Sequence, residues 1–324
     1  MNTGFWKNRN VLITGFAGFL GSNLTSRLLT CAGRIAGLDI RVSRKNTRLT
    51  PAEQKKIVAV KGSVTNYELV RKIIKDYKIS VIFHLAAEAL VEQCNNNPAR
   101  AFKSNIEGTW NILEAARQSP QVKAVVVASS DKAYGAHKKL PYRENTPLRG
   151  DHPYDVSKSC ADLIAYTYFH TYGLPAAVTR CGNIYGPGDF NFSRIIPDAI
   201  RSAICNRPLI IRSDGKFTRD YVYVDDIVNG YIMLAEQLQK KGLGGEAFNF
   251  STENPITVIE LIKKICRISG NRLNYKILNK AKYEIKHQYL YSRKARETLN
   301  WKPRHGLEEG LEKAFKWYSE YFDR

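Results

Sequence analysis

A short apolar run followed by three closely spaced glycines constrains the fold of this chain more than any other feature. The run Asn10-Val-Leu-Ile-Thr14 has the length of a buried strand and leads directly into Gly15-Phe-Ala-Gly18-Phe-Leu-Gly21. Residues 22–29 then carry apolar side chains at helical spacing. A strand, a glycine turn and a helix can bind a dinucleotide, because glycines let the backbone approach the pyrophosphate and the helix N-terminus offers free N–H groups. The spacing is G-x-x-G-x-x-G rather than G-x-G-x-x-G, so the motif alone is a weak indicator.

Strand and helix patterns alternate from this turn to about residue 180. Further apolar runs of strand length lie at 34–38, 56–60, 81–84, 122–128 and 176–180, and helical spacing is found at 66–77, 98–117 and 154–172. This alternation predicts an α/β fold with a Rossmann-type, doubly wound parallel sheet. The β-branched run at 122–128 should be buried on both faces of that sheet.

The pattern changes after Cys181, which predicts a second domain. Residues 1–180 would form the dinucleotide-binding domain, and residues 181–324 a smaller mixed α/β domain for the substrate. Part of 215–245 should return to the first domain. Residues 182–188 have the composition of a glycine-rich loop, and Thr257-Val-Ile-Glu260 has the form of a helix capping box.

An acidic residue at the end of the second strand indicates which dinucleotide is bound. Asp39 follows Gly15 by 24 residues, close to where a carboxylate should meet the adenosine ribose. It would hydrogen-bond the ribose hydroxyls and repel a 2′-phosphate, so we expect NAD rather than NADP. Arg41 and Arg44 are close enough in sequence to keep NADP open, and Asp39 could also be a simple turn residue.

The residues expected to bind NAD lie in the glycine turn, at the ends of the following strands, and on two helices. Small residues at 85–87 would let the backbone pack against the nicotinamide, and Asn105 could tie backbone groups together near the site. His84 is expected to be structural. The full set is Gly15, Phe16, Ala17, Gly18, Phe19, Leu20, Gly21, Asp39, Ile40, Arg41, Gly62, Ser63, Val64, Leu85, Ala86, Ala87, Asn105, Ser129, Tyr154 and Lys158.

Tyr154 and Lys158 are four residues apart, which places them on one face of a helix. A phenol has a pKa near ~10 in water and is a poor base at pH 7. A nearby ammonium and a positively charged nicotinamide would favour the phenolate, which could then take a proton from a substrate hydroxyl. Ser130 would hydrogen-bond the same oxygen. By itself, Y-x-x-x-K is more often an ordinary surface pair.

Asp131 and Lys132 follow Ser130 at the predicted carboxyl end of the 122–128 strand, where ligands bind in open α/β folds. We predict an acid at Asp131 and a base at Lys132. Lysine has a reference pKa near ~10.4, so a base role requires burial or nearby cations, and an ionised Asp131 would oppose it. The alternative is that Lys132 only positions Asp131.

Five charged or polar side chains outside this cluster could contact the substrate, together with Ser130. Arg194, Arg219 and His287 could jointly bind a diphosphate, although each alone is more often a surface charge. Asn183 lies in the predicted glycine-rich loop. Glu88 could reach the substrate or remain a solvated loop carboxylate.

Composition argues against several other classes of protein. No apolar run approaches the ~18 residues needed to span a bilayer, and the N-terminus has no signal-like apolar stretch, so we expect no membrane partner. The six cysteines are scattered without a C-x-x-C pair, which predicts no metal site and a cytoplasmic location. The net charge of +20 is spread along the chain without a nucleic-acid-binding motif. We therefore expect no nucleic-acid partner.

Taken together, these residues resemble the extended short-chain dehydrogenase/reductase family that acts on nucleotide sugars. The resemblance covers nearly the whole chain. It rests on the residues that follow: Thr14-Gly15-x-x-Gly18-x-x-Gly21, Asp39, His84-Leu-Ala-Ala87, Asn105, Ser130, Tyr154-x-x-x-Lys158, Asn183 and Arg219-Asp-x-x-Tyr-Val. Within the family the closest resemblance is to the CDP-glucose 4,6-dehydratases, through Ser130-Asp131-Lys132, Arg194-x-Ile-Pro197 and His287-x-Tyr-Leu290 among others.

The resemblance implies an NAD-dependent reaction on a nucleotide-diphosphate hexose, with CDP-glucose as the expected substrate and a homodimer as the expected assembly. Oxidation at C4 with Tyr154 as base would acidify C5–H. Lys132 would remove the C5 proton, and Asp131 would protonate the leaving C6 hydroxyl. The resemblance says that CDP-glucose dehydratases carry lysine at this position, where dTDP-glucose dehydratases carry glutamate. Two alternatives stay open: a nucleotide-sugar 4-epimerase on the same scaffold, and a non-catalytic NAD-binding regulatory protein.

Overall fold

In the first half of the chain, helices and strands alternate as the periodicity predicts. The computed structural model describes residues 2–42, 47–281 and 284–323. The strands are β1 (Asn10–Thr14), β2 (Arg34–Asp39), β3 (Ile57–Lys61), β4 (Val81–His84), β5 (Ala124–Ala128) and β6 (Ala176–Cys181). The helices are α1 (Thr3–Trp6), α2 (Phe19–Leu28), α3 (Pro51–Gln54), α4 (Tyr67–Asp76), α5 (Val91–Asn96), α6 (Pro98–Phe102), α7 (Gly108–Arg117) and α8 (Pro153–Tyr172).

The described residues of the second half form short strands and five helices. The strands are β7 (Asn183–Tyr185), β8 (Leu209–Ile211), β9 (Thr218–Arg219), β10 (Tyr221–Tyr223), β11 (Ala247–Phe250), β12 (Ile256–Thr257), β13 (Tyr275–Ile277) and β14 (His287–Gln288). The helices are α9 (Ile195–Ile204), α10 (Val224–Gln237), α11 (Val258–Ser269), α12 (Arg293–Leu299) and α13 (Leu307–Phe322). The expected capping box opens α11, with Thr257 and Glu260 bonded reciprocally. Among the described residues, no helix is long and apolar enough to cross a membrane.

Seven parallel strands form one sheet in the order β11-β6-β5-β4-β1-β2-β3. The strand order reverses between β1 and β4, whose carboxyl ends therefore open a cleft for a ligand. Side chains along each strand alternate between the two faces. In β1, Val11 and Ile13 join the hydrophobic core on one face, and Leu12 joins the core on the other. Both faces are thus buried, and the predicted Rossmann-type fold is confirmed.

Three features were not anticipated from the sequence. Within the segment 215–245 that was expected to return, α10 packs against α2 on the sheet, and the seventh strand, β11, is a further addition that lies beyond this segment. Asn183 lies in β7, which pairs in parallel with β10, and not in a loop. The predicted helix at 98–117 is interrupted by one π-helical turn, Lys103–Glu107, which carries the buried Asn105. Hydrophobic periodicity reports neither the strand partner nor such an inserted residue.

Candidate active site

The glycine turn after β1 is tight because two of its residues have no side chain. Gly15 has a φ of +71°, and a Cβ there would lie 2.9 Å from the Ala86 backbone nitrogen. A Cβ on Gly21 would lie 2.0 Å from the Gly15 carbonyl oxygen. Gly18 caps α2 and donates its N–H to the same carbonyl at 3.1 Å. The turn therefore brings bare backbone and a helix N-terminus to the cleft, which is the arrangement a pyrophosphate needs.

Asp39 lies at the opening of this turn. Its Oδ2 accepts the Ala17 N–H at 3.3 Å, and its Oδ1 accepts the Arg41 N–H at 3.0 Å. Burial raises the pKa of Asp39, opposed by these backbone hydrogen bonds. Ile40 and Arg41 are exposed beside it. Arg44, the other cation that would favour NADP, lies outside the described residues.

Other residues of the expected cofactor set lie at the carboxyl ends of β3 and β4. The Gly62 N–H donates to the Asp39 carbonyl at 2.9 Å. The Leu85 and Ala86 N–H groups both donate to Thr14 Oγ1 at 3.1 Å. Phe16 and Val64 were expected near the cofactor, but their side chains are buried in the cores, against Gly37 and Gly108. Only the main chain of these two residues remains to face a ligand.

His84 is structural, as expected. Its Nδ1 is 2.9 Å from Thr14 Oγ1, and its Nε2 is 3.1 Å from Thr109 Oγ1. Burial, followed by the positive charge of Lys158, lowers the pKa of His84 to about 3. The ring is therefore neutral and holds the end of β4 in place.

Asn105 connects the loop after β4 to α8. Its Oδ1 accepts the Glu88 N–H at 2.7 Å, and its Nδ2 donates to the Glu88 carbonyl at 3.0 Å and to Ser157 Oγ at 2.9 Å. The π-helical turn supplies this side chain to the interior. Asn105 thus ties backbone groups together beside the cleft.

Lys158 is anchored to the carboxyl end of β5. Its Nζ donates to the Ala128 carbonyl at 2.8 Å, and Ser129 Oγ donates to the Lys158 carbonyl at 3.2 Å. Lys158 Nζ lies 5.9 Å from the centroid of the Tyr154 ring. The tyrosine, the lysine and the residues after β5 are therefore brought together at one edge of the sheet.

The expected acidification of Tyr154 by Lys158 is not found among the protein's own groups. Burial raises the pKa of Tyr154, opposed by a hydrogen bond with Ser130 and by the charge of Arg194. Burial also lowers the pKa of Lys158, to about 8. Desolvation disfavours the charged form of each group. A phenolate at Tyr154 would therefore need a further positive charge in the cleft.

Asp131 and Lys132 lie in a 3₁₀ turn, Asp131–Tyr134, that directly follows Ser130. Asp131 is buried and accepts a hydrogen bond from Ser130 Oγ at 3.0 Å. Burial raises the pKa of Asp131 and lowers the pKa of Lys132; Arg219 lowers the latter further. Both shifts favour the uncharged forms, a carboxylic acid beside an amine. This is the protonation state that an acid–base pair needs before reaction.

Two expected substrate residues act on this cluster. Arg219 is buried on β9, where its Nη1 donates to the Thr218 and Lys286 carbonyls at 2.9 Å and 3.0 Å. Arg194 precedes α9, and its Nη1 is 3.0 Å from Asp189 Oδ2. The charge of Arg219 acts on Lys132 and that of Arg194 on Tyr154, so both guanidinium groups lie at the site.

The other expected substrate residues are less directly placed. The Glu88 carboxylate forms an ion pair with Arg100, with 2.6 Å between Glu88 Oε1 and Arg100 Nη2. Helix α6 carries Arg100 and places its side chain beside the loop that contains Glu88. His287 is exposed on β14, and its Nδ1 is 2.7 Å from Thr218 Oγ1, beside the strand that carries Arg219. The Asn183 N–H donates to the Asp220 carbonyl at 2.9 Å. The carboxylate of Glu88 is thus paired with Arg100 through one of its two oxygens.

Two residues at the site were missed by sequence reasoning. Gln288 Oε1 accepts a hydrogen bond from Lys132 Nζ at 3.5 Å, although the two are 156 residues apart. Asp155 is a buried carboxyl directly after Tyr154. Each is adjacent in sequence to an expected residue, His287 or Tyr154, but nothing in the local pattern indicates burial beside Lys132.

Comparisons with known proteins agree with this geometry. A family model described as GDP-mannose 4,6 dehydratase matches residues 12–314. A CDP-glucose 4,6-dehydratase of Salmonella typhimurium is 31% identical over 97% of this chain and 91% of its own. A UDP-glucuronate 4-epimerase of Thermodesulfobacterium geofontis is 34% identical over 95% and 96%. The crystal structure of a Bacillus anthracis dTDP-glucose 4,6-dehydratase in complex with NAD superposes with a TM-score of 0.84, at 29% identity over 97% of this chain and 98% of that one.

Proposed function

The chain belongs to the GDP-mannose 4,6-dehydratase family of extended short-chain dehydrogenases, and from this premise we propose that it is a nucleotide-sugar 4,6-dehydratase. The family comprises NAD-dependent enzymes that act on nucleotide sugars, both dehydratases and epimerases. The observation that carries the narrower proposal is the buried Asp131–Lys132 pair beside Ser130. Elimination of water needs an acid and a base in addition to Tyr154, whereas inversion at C4 needs only the base at the C4 hydroxyl.

NAD is the cofactor, and the cleft between β1 and β4 fits it. A Cβ at Gly15 or Gly21 would meet the backbone of the turn or of Ala86, so only glycine permits this close turn, and its bare backbone is what a pyrophosphate would approach. Asp39 would bind the adenosine ribose, and Lys158 the nicotinamide ribose, with Leu85 to Ala87 against the nicotinamide. Bound NAD would supply reversible acceptance of one hydride, together with a positive charge next to Tyr154.

In the proposed reaction, the chain's own residues transfer three protons. Tyr154 takes the proton of the C4 hydroxyl while Ser130 holds that oxygen. Once C4 is a ketone, C5–H becomes acidic, and Lys132 accepts its proton on Nζ. Asp131 gives its own proton to the C6 hydroxyl, which leaves as water. The resulting 5,6-ene would then receive the hydride back at C6 and a proton at C5 from Lys132, which gives the C6 methyl group of a 4-keto-6-deoxy sugar. Burial prepares both groups for these steps, because it raises the pKa of Asp131 and lowers that of Lys132.

We further propose that the substrate is CDP-glucose and that Arg194 and Arg219 hold its diphosphate. Support for the nucleotide comes from the Salmonella typhimurium relative named CDP-glucose 4,6-dehydratase. Support for the arginines comes from their position: their charges act on Tyr154 and Lys132, on either side of the reacting carbons. Guanidinium groups pair well with phosphate oxygens. His287 lies on β14, which pairs with the strand of Arg219, and the Asn183 N–H donates to the carbonyl of Asp220, the residue after Arg219; both would complete this side.

A homodimer is the proposed assembly. Among the described residues, four large apolar side chains are exposed on the neighbouring helices α7 and α8: Trp110 is 45% exposed, Leu163 55%, Tyr166 51% and Tyr172 56%. An apolar surface of this kind usually marks a contact with another protein.

The six cysteines form no disulfide in the described part of the chain, which supports a reducing compartment such as the cytoplasm.

A 4-epimerase is the second candidate, because the Thermodesulfobacterium geofontis relative has that activity and is 34% identical. The product distinguishes the two. Incubation of the purified protein with CDP-glucose in D₂O should give a 4-keto sugar with a new C6 methyl group and deuterium at C5, seen by NMR. Recovery of only a C4 epimer, with no methyl signal, would reject the dehydratase.

The variant Lys132→Met tests the role of the base. Hydride removal at C4 does not involve Lys132, so absorbance near 340 nm should still appear on mixing with substrate. Incorporation of deuterium at C5 should be lost, because no amine remains to accept the proton. Undiminished deuterium incorporation in this variant would show that another group removes the C5 proton.

A further inference from the structure

Asp155 is a buried carboxyl that the proposed reaction does not use. It lies in the first turn of α8 and is only 3% exposed. Its Oδ1 is buried and has no hydrogen-bond partner among the described residues. A buried carboxylate oxygen without a partner is costly, and native structures usually retain one only where it has a task.

The first turn of α8 is packed tightly onto the Asp131–Tyr134 turn. Ser159 Oγ is within hydrogen-bond distance of the Ala133 carbonyl, at 2.8 Å, and of the Asp155 carbonyl, at 3.1 Å. On the other side, a Cβ on Gly150 would lie 2.4 Å from the Asp155 carbonyl carbon. The backbone of Asp155 is therefore held from two sides, beside the turn that carries Lys132.

Four charged or titratable groups act on the Asp155 carboxyl. Lys132 and Asp131 belong to the neighbouring turn, and His152 and Asp151 precede α8. Lys132 is the strongest of the four, and its positive charge favours an ionised Asp155. Conversely, the negative charge of Asp155 raises the pKa of Lys132.

Lys132 needs such a counter-ion once it has accepted a proton. The group within hydrogen-bond distance of its Nζ is the neutral Gln288 Oε1, and Arg219 contributes a second positive charge nearby. Asp131 cannot neutralise the ammonium and also remain protonated as an acid. Glu284, the third carboxyl that acts on Lys132, is exposed and pairs with Arg219 at 3.7 Å. Asp155 is the buried carboxyl that remains.

We propose that Asp155 is a positioning residue whose carboxylate neutralises the ammonium formed on Lys132, so that Asp131 keeps its proton until it protonates the C6 hydroxyl. This inference rests on the proposed dehydratase function. In the elimination, the C5–H bond breaks, its proton goes to Lys132 Nζ, and its electron pair forms the C5–C6 double bond. The C6–O bond breaks as Asp131 donates its proton, and water leaves. Asp155 neither gains nor loses a proton.

The protonation of Asp155 supplies a pH signature. Burial raises the pKa of Asp155 to about 6, and the charge of Lys132 opposes this rise. Asp155 is therefore ionised above about pH 6 and neutral below it. As the pH falls through this range, the neutralising charge is lost, and elimination should slow while C4 oxidation is less affected.

The variant Asp155→Asn tests this assignment on the full-length holoenzyme, with Asp151→Asn as a matched control. Asp151 is an exposed carboxyl four residues before Asp155. Its replacement removes the same charge from the protein but keeps the buried carboxyl of Asp155. The first measurement is the pH dependence of Lys132 labelling by acetic anhydride, read by peptide mass spectrometry. Asp155→Asn should shift this curve to lower pH by about one unit, because an attractive carboxylate is lost. Asp151→Asn should leave it nearly unchanged.

The second measurement is elimination from CDP-glucose. Asp155→Asn should slow C5 deuterium incorporation by roughly tenfold, the rate equivalent of one pKa unit, while the early rise at 340 nm is kept. The fall in the elimination rate below about pH 6, which is expected for the wild type, should also be absent in this variant. Asp155→Glu should restore most of the rate, and the melting temperature of each variant shows whether it is folded.

The outcomes separate the two proposals. An unshifted labelling curve in folded Asp155→Asn would overturn the Asp155 assignment, whatever the substrate. If the wild type does not dehydrate any nucleotide hexose, the proposed function fails, while the labelling shift still reports the coupling of Asp155 to Lys132. If the wild type dehydrates CDP-glucose and Asp155→Asn does so equally fast at every pH, only the inference about Asp155 fails.

Discussion

Replacing Lys158 with methionine should change the pH dependence of stability in a predictable way. Lys158 is buried, donates from Nζ to the Ala128 carbonyl at 2.8 Å, and has a pKa lowered by burial from 10.5 to about 8. Methionine has nearly the same length and carries no charge. The variant therefore removes the buried ammonium and one hydrogen bond while it keeps most of the packing.

The sign follows from proton binding in the two states. Below pH 8 the folded and unfolded chains both carry the charge, and the folded protein bears the full cost of burying it. Between pH 8 and 10.5 the folded chain releases its proton first, so the free energy of unfolding rises with pH. At about 1.4 kcal/mol per pH unit, the fall in pKa from 10.5 to about 8 corresponds to about 3 kcal/mol.

The free energy of unfolding of Lys158→Met should not show this rise between pH 8 and 10.5. At pH 7 the variant does not bear the cost of burying a charged ammonium. It does leave the Ala128 carbonyl without its hydrogen-bond donor, which costs about 1–3 kcal/mol. These two effects oppose each other, so the free energy of unfolding of the variant should be close to that of the wild type. At pH 10.5 the wild type has recovered about 3 kcal/mol and should be the more stable protein. The difference between the two proteins should thus change by about 3 kcal/mol across this range.

Urea unfolding of both proteins, freed of cofactor and followed at several pH values from 7 to 10.5, measures this difference. Other groups that titrate in this range are common to both proteins and cancel. Lys123→Met is the control, because Lys123 also donates to a backbone carbonyl, that of Pro120 at 2.9 Å, but is exposed. A wild-type-minus-variant difference that stays constant with pH would refute the idea that Lys158 is held in a desolvated state.

Two further changes test the cofactor turn and the assembly. Gly21→Ala would place a Cβ 2.0 Å from the Gly15 carbonyl oxygen, a backbone atom that cannot rotate away, so it should lose about 1–3 kcal/mol of stability and bind NAD more weakly in a fluorescence titration; NAD binding equal to the wild type would contradict the tight turn. Leu163→Glu places a charge on the exposed apolar surface of α8 and should convert a dimer into a monomer in analytical ultracentrifugation, without unfolding it. An unchanged dimer would move the interface elsewhere.

Much of the fold could be predicted because it depends on short-range periodicity. The strands β1, β2, β4 and β6 begin at the expected residues, and α8 ends at Tyr172 as expected. Alternating strands and helices allow few arrangements other than a parallel sheet covered on both faces. The glycine spacing and Asp39 likewise predicted a turn whose geometry is visible in the structure, since a close backbone approach requires the absence of a side chain.

The seventh strand shows where such reasoning ends. Ala247–Phe250 is only four residues long, and its hydrophobic pattern does not reveal that it pairs with β6. The interruption at Lys103–Glu107 is similar, because one extra residue in a helix leaves the surrounding periodicity almost intact. Pairing and register depend on surfaces that meet only after the chain has folded.

The residue types at the site thus follow from the sequence of this protein, whereas the protonation states of these residues follow from burial. Residue types and spacing were enough to bring Ser130, Asp131, Tyr154 and Lys158 to one sheet edge. Three features became visible only in the folded molecule. The pKa of Tyr154 is raised, and Arg100 forms an ion pair with Glu88. Gln288 accepts a hydrogen bond from Lys132, and the charge of Asp155 acts on Lys132. The reason is physical: desolvation and long-range charge depend on which distant segments exclude water from a group, and no stretch of sequence contains that information by itself.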